Sequence, residues 1–369
     1  MNRLVVGNLV HRPLRSIISI FAVAIEVIMI LSIAAIMLGM LNDQKTRTSG
    51  IGADMILRPG SSSYLSGVSG APIPIKVGDV LKKLDHITVA APAIIQLTSG
   101  NALENIYGID FASYNALRPF VFISGGPFQA PNDIIIDDYT ARADRGHKVG
   151  DTLSVLKHDF RICGIVEHGK GGRKFLPITT MGELIGSENH ASLFYIKLDN
   201  HDTATAETVK QEIKATPGMS DYLIQTMEEL LSQLTPEHLP AFQAGLYTVI
   251  GIAVTIGFLV VFQSMYTAVM ERTREIGVLK SMGASRLYIV RVVLGETGLL
   301  AICGIIVGIA LSFAIRTLIH LRFPTLAFAL TTPWIFRAAL TAFIGAICGA
   351  TYPAWKAARK DPIDALAYE

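Results

Sequence analysis

The sequence predicts a membrane α-helical protein with four transmembrane helices and a large α+β extracytoplasmic domain between helices 1 and 2. Two observations carry that prediction. The hydrophobic residues, 51% of the chain, are gathered into long blocks, and the mean hydropathy of +0.45 is high for a soluble protein. Between the first and second blocks, residues 42–240 disperse their polar residues among frequent Gly and Pro, with no apolar run long enough to span. A helix needs about 20 apolar residues to cross a ~30 Å hydrocarbon core.

Residues 1–16 read as a cytoplasmic amphipathic helix, with Leu4, Val5, Leu9 and Val10 against Arg3, Arg12 and Arg15, and Pro13 interrupting it. Residues 17–41 form transmembrane helix 1 and carry a single charge, Glu26. A cleaved signal peptide has an apolar core of about 7–15 residues. This block is longer and reads as an uncleaved span.

Residues 42–240 read as an α+β extramembrane domain, which the resemblance given below makes the periplasmic domain. Strand-like pieces occur at Ala53–Leu57, Ile87–Ala91, Asp133–Asp137, Thr152–Leu156, Phe160–Val166 and Ser192–Leu198. Val77–Leu84 and Thr203–Ala215 favour helix, with Thr203 the expected cap. Gly60–Gly70 is a flexible loop by composition. Mixed short strands and helices of this total length suffice for an independent core.

Transmembrane helix 2 is 241–270, without a charged residue from Ala241 to Met270. Residues 271–285 follow as a short charged helix. Helix 3 is 286–315, with Arg291 and Glu296 in its first turns. A short loop covers 316–332, periplasmic by the orientation and the resemblance given below. Helix 4 is 333–355, opened by Pro333 and an interfacial Trp334, and a tail of 356–369 begins with Lys356, Arg359 and Lys360. Basic residues flank three faces: Arg3, Arg12 and Arg15; Arg272, Arg274, Lys280 and Arg286; and the tail. By the positive-inside rule those faces and both termini are cytoplasmic and the large domain lies outside. Arg316, Arg322 and Arg337 pull the other way and are outvoted.

The short charged stretch Met270–Arg291 organises the rest. Glu271 and Arg274, like Arg272 and Glu275, sit three apart on neighbouring helix positions. Ile276, Leu279 and Met282 form an apolar edge, Gly283 is a C-terminal stop and Ser285 an N-cap for the next helix. This describes an amphipathic helix lying across a membrane exit, a handle for a partner protein. Gly304–Gly308 and Gly345–Gly349 are GxxxG pairs that permit close helix approach, either within the chain or at a subunit interface.

At this point the residues meet a family. ERTREIGVLKSMGAS resembles the loop after the second transmembrane helix of ABC transporter permeases of the MacB/FtsX/LolC type. NLVHRPLRS (Asn8–Ser16) and YPAWKAARKDPIDALAYE (Tyr352–Glu369) agree with that family in order, and Lys148–Gly169 resembles the strand-rich half of its MacB-like periplasmic core. The resemblance implies a permease subunit whose coupling helix docks on a separate ABC ATPase. The coupling residues it implies are Glu271, Arg272, Thr273, Arg274, Glu275, Ile276, Gly277, Lys280 and Gly283. Among them Arg272, Arg274 and Glu275 are expected ATPase contacts, with Gly277 and Gly283 setting the helix shape. It further implies a second copy of the chain and two ATPase copies, which bind the ATP and Mg. Expected partners also include a periplasmic adaptor (membrane fusion protein) or lipoprotein, and membrane lipid. The implied function is mechanotransmission that exports or extracts a lipid, lipoprotein, drug or heme. The alternative is FtsX-like signalling to a periplasmic cell-wall hydrolase without transport.

No catalytic residue, cofactor or metal site is expected in this chain. A net charge of +2 gives no argument for nucleic acid, and three cysteines are too few for a disulfide framework. GIVEHGKG (Gly164–Gly171) lacks the Ser or Thr that a phosphate-binding P-loop places after its Lys. It reads instead as a basic hairpin turn whose Lys170, Arg173 and Lys174 are free to meet an acidic surface or lipid headgroup. His147, His158, His168, His190 and His201 are scattered without metal-ligand spacing and read as surface histidines.

Glu26 is the costly residue. A carboxylate this deep marks a functional position by default, a polar site facing a dimer cavity or interface or a substrate path; the alternatives are a hydrogen-bonded interhelical pair, or a shift in register that brings Glu26 nearer the surface. Glu296 is expected to pair with Arg291, with an intramembrane substrate or interface role as the sharper reading. Met29, Met37 and Met40 read as lipid-facing packing rather than a soft ligand site.

Overall fold

A computed structural model describes residues 13–60, 72–99, 103–143 and 146–360. The expected amphipathic start through residue 12, the loop interior 61–71 and the tail from 361 lie outside the described residues. In chain order the elements are α1 (Pro13–Ser49), β1 (Met55–Pro59), β2 (Ile73–Pro74), α2 (Val77–Leu81), β3 (Ile87–Ser99), β4 (Leu103–Ile109) and α3 (Phe111–Leu117). Then come β5 (Phe122–Gly125), β6 (Asp133–Asp137), α4 (Asp138–Arg142), β7 (Thr152–Val155), β8 (His158–Val166), β9 (Lys174–Pro177) and α5 (Ile178–Ile185). The domain closes with β10 (His190–Ala191), β11 (Leu193–Leu198), α6 (Thr203–Ala215), β12 (Tyr222–Thr226) and α7 (Met227–Gln233). Four helices follow: α8 (Pro240–Glu271), α9 (Thr273–Ser281), α10 (Arg286–Arg322) and α11 (Thr332–Arg359).

Among the described residues α1, α8, α10 and α11 are long and apolar enough to cross a bilayer. The chain divides into a helical unit and an α/β unit, the latter made of Leu41–Leu239 with Phe323–Thr325. In the helical unit, α11 presents Ala338, Ala342, Ala346, Ala350 and Ala354, spaced four apart and all buried. That spacing keeps small residues on one helix face, so neighbouring backbones approach closely. Both GxxxG pairs are used inside the chain. A Cβ at Gly304 or Gly308 would press on Val23 or Val27 of α1, and one at Gly349 would lie 2.9 Å from the Phe258 carbonyl of α8. A hydrogen bond of 2.6 Å between the Ser19 and Ser264 hydroxyls adds a polar tie between α1 and α8.

The α/β unit is built on a ten-stranded sheet in the order β12-β1-β11-β3-β4-β9-β6-β8-β5, with β7 on β8. Pairing is antiparallel except for β4 with β9 and β6 with β8. Alternation along the strands divides the core between faces. Ile56, Ala91, Ala93 and Tyr107 join one apolar cluster. Met55, Leu57 and Ala90 join a second, and Ile94 and Ile106 a third. These residues are buried on both faces of the sheet, and the period-2 geometry sends alternate ones to opposite clusters.

Several boundaries differ from the sequence reading. Helix α1 does not stop at Leu41 but runs to Ser49, because Asn42–Ser49 holds no Gly or Pro before Gly50. Likewise α10 continues past Ile315 to Arg322, two residues short of Pro324. Strand β3 extends to Ser99 because its second half pairs in register with β4. The N-cap position of α6 is Asp202, in extended backbone, rather than Thr203.

Candidate coupling site

The chain breaks helical geometry at one residue, Arg272 (φ −104°, ψ 17°), and resumes as α9. Thr273 bridges the break: its hydroxyl donates to the carbonyls of Met270 at 2.8 Å and Val269 at 3.2 Å, two of the last acceptors of α8. Thr273 and Gly277 are buried on the inner face of α9, and Ile276 and Leu279 pack against the helical core. At its end Gly283 takes φ +94°, its amide donating to the Lys280 carbonyl and the Ala284 amide to Leu279. The left-handed stop suits glycine, which has no Cβ to clash. The Ser285 hydroxyl then accepts from the Tyr288 amide at 3.2 Å and caps α10.

The charged residues of this segment divide into two sets. Arg272 turns inward and pairs with Glu296 of α10 at 3.0 Å. The Lys280 ammonium donates to the Ala358 carbonyl at 3.0 Å and to the Lys360 carbonyl, binding α9 to the end of α11. Cations on the last carbonyls of a helix are favourable. Glu271, Arg274 and Glu275 face outward, and Val278 and Met282 are exposed beside them. The surface offered by α9 is therefore a mixed charged and apolar strip.

One expectation is corrected here, and one alternative for Glu26 is narrowed. Glu296 meets Arg272 rather than Arg291, since residues five apart on a helix point about 140° away from each other. Arg291 is accordingly exposed while Glu296 is buried. Of the alternatives for Glu26, a hydrogen-bonded interhelical pair is not formed among the described residues. Glu26 is 2% exposed, and neither carboxylate oxygen has a hydrogen-bond partner among the described residues. The carboxylate fills the space left by two glycines: a Cβ at Gly257 of α8 would collide with it, and one at Gly345 of α11 would lie 3.5 Å from Oε1.

A third cluster, in the α/β unit, escaped the sequence reading. His168 is half-buried and held on both ring nitrogens, Nδ1 lying 2.7 Å from Asp137 and Nε2 2.8 Å from Asp43. Tyr139 stacks on the imidazole at 4.2 Å. Asp43 also takes Arg47 at 2.9 Å and Arg173 at 3.0 Å, and Arg173 donates to the Thr325 carbonyl at 2.8 Å. Burial alone lowers an imidazole pKa, but the hydrogen bonds and charges of Asp137 and Asp43 outweigh it and hold His168 above its ordinary value. The basic turn is thus not free. Arg173 pairs with Asp43, Lys174 with Glu104, and Lys170 is buried. A lone His in a Gly-rich turn carries no local signal of partners that lie 125 and 31 residues away.

Four apolar helices with a mixed α/β domain inserted after the first define a multi-pass membrane protein with a large extramembrane domain. Residues 16–216 match the family model for the MacB-like periplasmic core domain, and residues 247–362 that for the FtsX-like permease C-terminal region. The chain belongs to the MacB/FtsX/LolC family of ABC transporter permeases. It is 27% identical over 385 residues to a macrolide export ATP-binding/permease protein MacB of Shewanella, covering 97% of this chain and 59% of that protein. An uncharacterized ABC transporter permease of Methanocaldococcus jannaschii is 24% identical over 234 residues, 60% of this chain and 58% of that one. The chain thus spans less than two thirds of the relatives it matches. The periplasmic region of MacB from Actinobacillus actinomycetemcomitans aligns with a TM-score of 0.39 at 18% identity, over 50% of this chain and 94% of that one.

Proposed function

We propose that this chain is the permease subunit of an ABC export system, paired with a second copy and with two copies of a separate ATPase that binds the ATP and Mg. The observation that carries this reading is the construction of α9. Its inner residues Arg272, Thr273, Gly277 and Lys280 bind it to α8, α10 and α11, while Glu271, Arg274 and Glu275 are presented outward. A rigidly seated strip of charge is suited to receive a push from a partner and pass it to the helices behind. In the proposed cycle, ATP closes the ATPase pair on a cytoplasmic face, α9 moves, and α1 and α8 carry the movement to the outer domain. Cargo is a hydrophobic molecule of the lipid, lipoprotein, heme or macrolide kind, handled at the outer side. A periplasmic adaptor or lipoprotein completes the system, and both termini are cytoplasmic.

Purification from mild detergent with mass spectrometry of proteins and bound small molecules tests it. Recovery of an ATPase with a periplasmic adaptor supports export. An ATPase with a cell-wall hydrolase and no cargo moves the chain to the FtsX-like signalling role. Recovery without any ATPase overturns the coupling assignment of α9.

A further inference from the structure

We propose that the cavity around Lys170 and Arg118 in the α/β unit is a binding site for a phosphate group, carried by an anionic phospholipid or free in solution. The cavity, of 240 Å³, lies between Thr46 and Ser49 of the last turn of α1 and the segments Arg118–Val121 and Glu167–Lys170. It is smaller than the roughly 300–1,000 Å³ of a drug-sized site, and suits one charged group with a few attached carbons.

Its charge is unbalanced. Lys170 is 6% exposed. Its ammonium donates to the Arg118 carbonyl and lies over the Phe120 ring at 3.8 Å, with the Tyr114 ring at 5.3 Å. Among the described residues no carboxylate pairs with it, and the exposed Arg118 guanidinium has no side-chain partner there either. A carbonyl and two aromatic faces take part of the ammonium's hydrogen-bonding and charge, leaving donors over. The single lining carboxylate, Glu167, is exposed and pairs with neither cation.

A buried cation left without a counter-ion is costly, and here a second cation stands beside it. Burial, and then the like charge of Arg118, bring the Lys170 ammonium down to about 7. An anion between the two cations relieves both effects. Phosphate answers the donor set well: Arg recognises it through paired N–H groups and Lys as a point charge. The Thr46 hydroxyl is a further donor on the rim, and exposed Val121 gives the attached carbons an apolar seat. Arg173 and Lys174, by contrast, are already paired and do not contribute.

The test uses the full chain in phosphatidylcholine nanodiscs. Thermal unfolding is followed with inorganic phosphate against sodium chloride at equal ionic strength. Native mass spectrometry then compares retention of phosphatidylglycerol with that of phosphatidylcholine. The variants are Arg118→Gln, at an exposed side chain, and Lys170→Gln. If the source is free phosphate, inorganic phosphate raises the wild-type unfolding temperature and binds about tenfold or more weakly to Arg118→Gln, as loss of a charged hydrogen bond requires. If the source is lipid, phosphatidylglycerol is retained by the wild type and depleted in Arg118→Gln, without a response to inorganic phosphate. Equal behaviour of wild type and Arg118→Gln in both measurements overturns the proposal, whatever the folding of Lys170→Gln.

Discussion

The guanidinium of Arg272 and the carboxylate of Glu296 meet at 3.0 Å with 11% and 6% of their side chains exposed. This pair joins the break between α8 and α9 to the third turn of α10 and sits under the outward strip of α9. Breaking a buried ion pair from one side leaves a charge without compensation and costs about 3–5 kcal/mol, whereas replacing both partners with apolar groups is often neutral. Arg272→Met and Glu296→Met are therefore each expected to lower the unfolding temperature in detergent, and the double variant to recover most of the loss. A double variant as unstable as the sum of the singles would show that packing, and not the pair, holds the break.

Charge reversal on the outer strip gives the complementary result. Arg274→Glu with Glu275→Arg is expected to leave membrane insertion and thermal stability unchanged, since both side chains are exposed. Stimulation of the ATPase by the permease should fall steeply in the reconstituted complex. Normal stimulation in that double variant removes Arg274 and Glu275 from the contact.

The His168 clamp predicts a pH dependence of defined sign. Its folded-state pKa is raised above the ordinary 6.5 by Asp137 and Asp43, so the folded protein holds the proton more tightly than the unfolded chain. That stabilisation is complete below the unfolded value and is lost as pH rises through the folded one. Unfolding temperatures of the wild type and His168→Gln should therefore differ most below pH 6.5 and converge at higher pH. A constant difference across that window would show that only packing against Tyr139 matters.

Glu26 and Gly257 should behave as one unit. Gly257→Ala places a methyl group against the Glu26 carboxylate, and overpacking of this kind costs about 1–3 kcal/mol. Glu26→Ala in the same chain should recover much of that loss, a coupling read from a double-mutant cycle of unfolding temperatures. Additive effects would mean that the glycine is needed for the backbone of α8 alone.

Some of this was legible in the residues. Apolar blocks report spanning helices because lipid satisfies no backbone polar group, so length and composition suffice. Gly283 and Ser285 announced a helix stop and a helix start because capping is local, settled within four residues. Strand β6 was readable as DIIID because a strand buried on both faces is a short, continuous apolar run. Helix ends were harder. The continuation of α1 to Ser49 rests on the absence of a breaker in a polar stretch whose composition resembles a loop.

What the sequence determined by itself was the class: spanning blocks, an inserted α/β domain and a charged helix between the second and third spans, all properties of short windows of chain. Only the tertiary structure decided which charge meets which. Arg272 found Glu296 across 24 residues, His168 found Asp43 across 125, and Lys170 was buried beside Arg118 with no carboxylate paired to it among the described residues. Electrostatic partnership depends on distances of a few ångströms between side chains. Chain spacing fixes such distances within one helix and says nothing of them between elements that folding brings together.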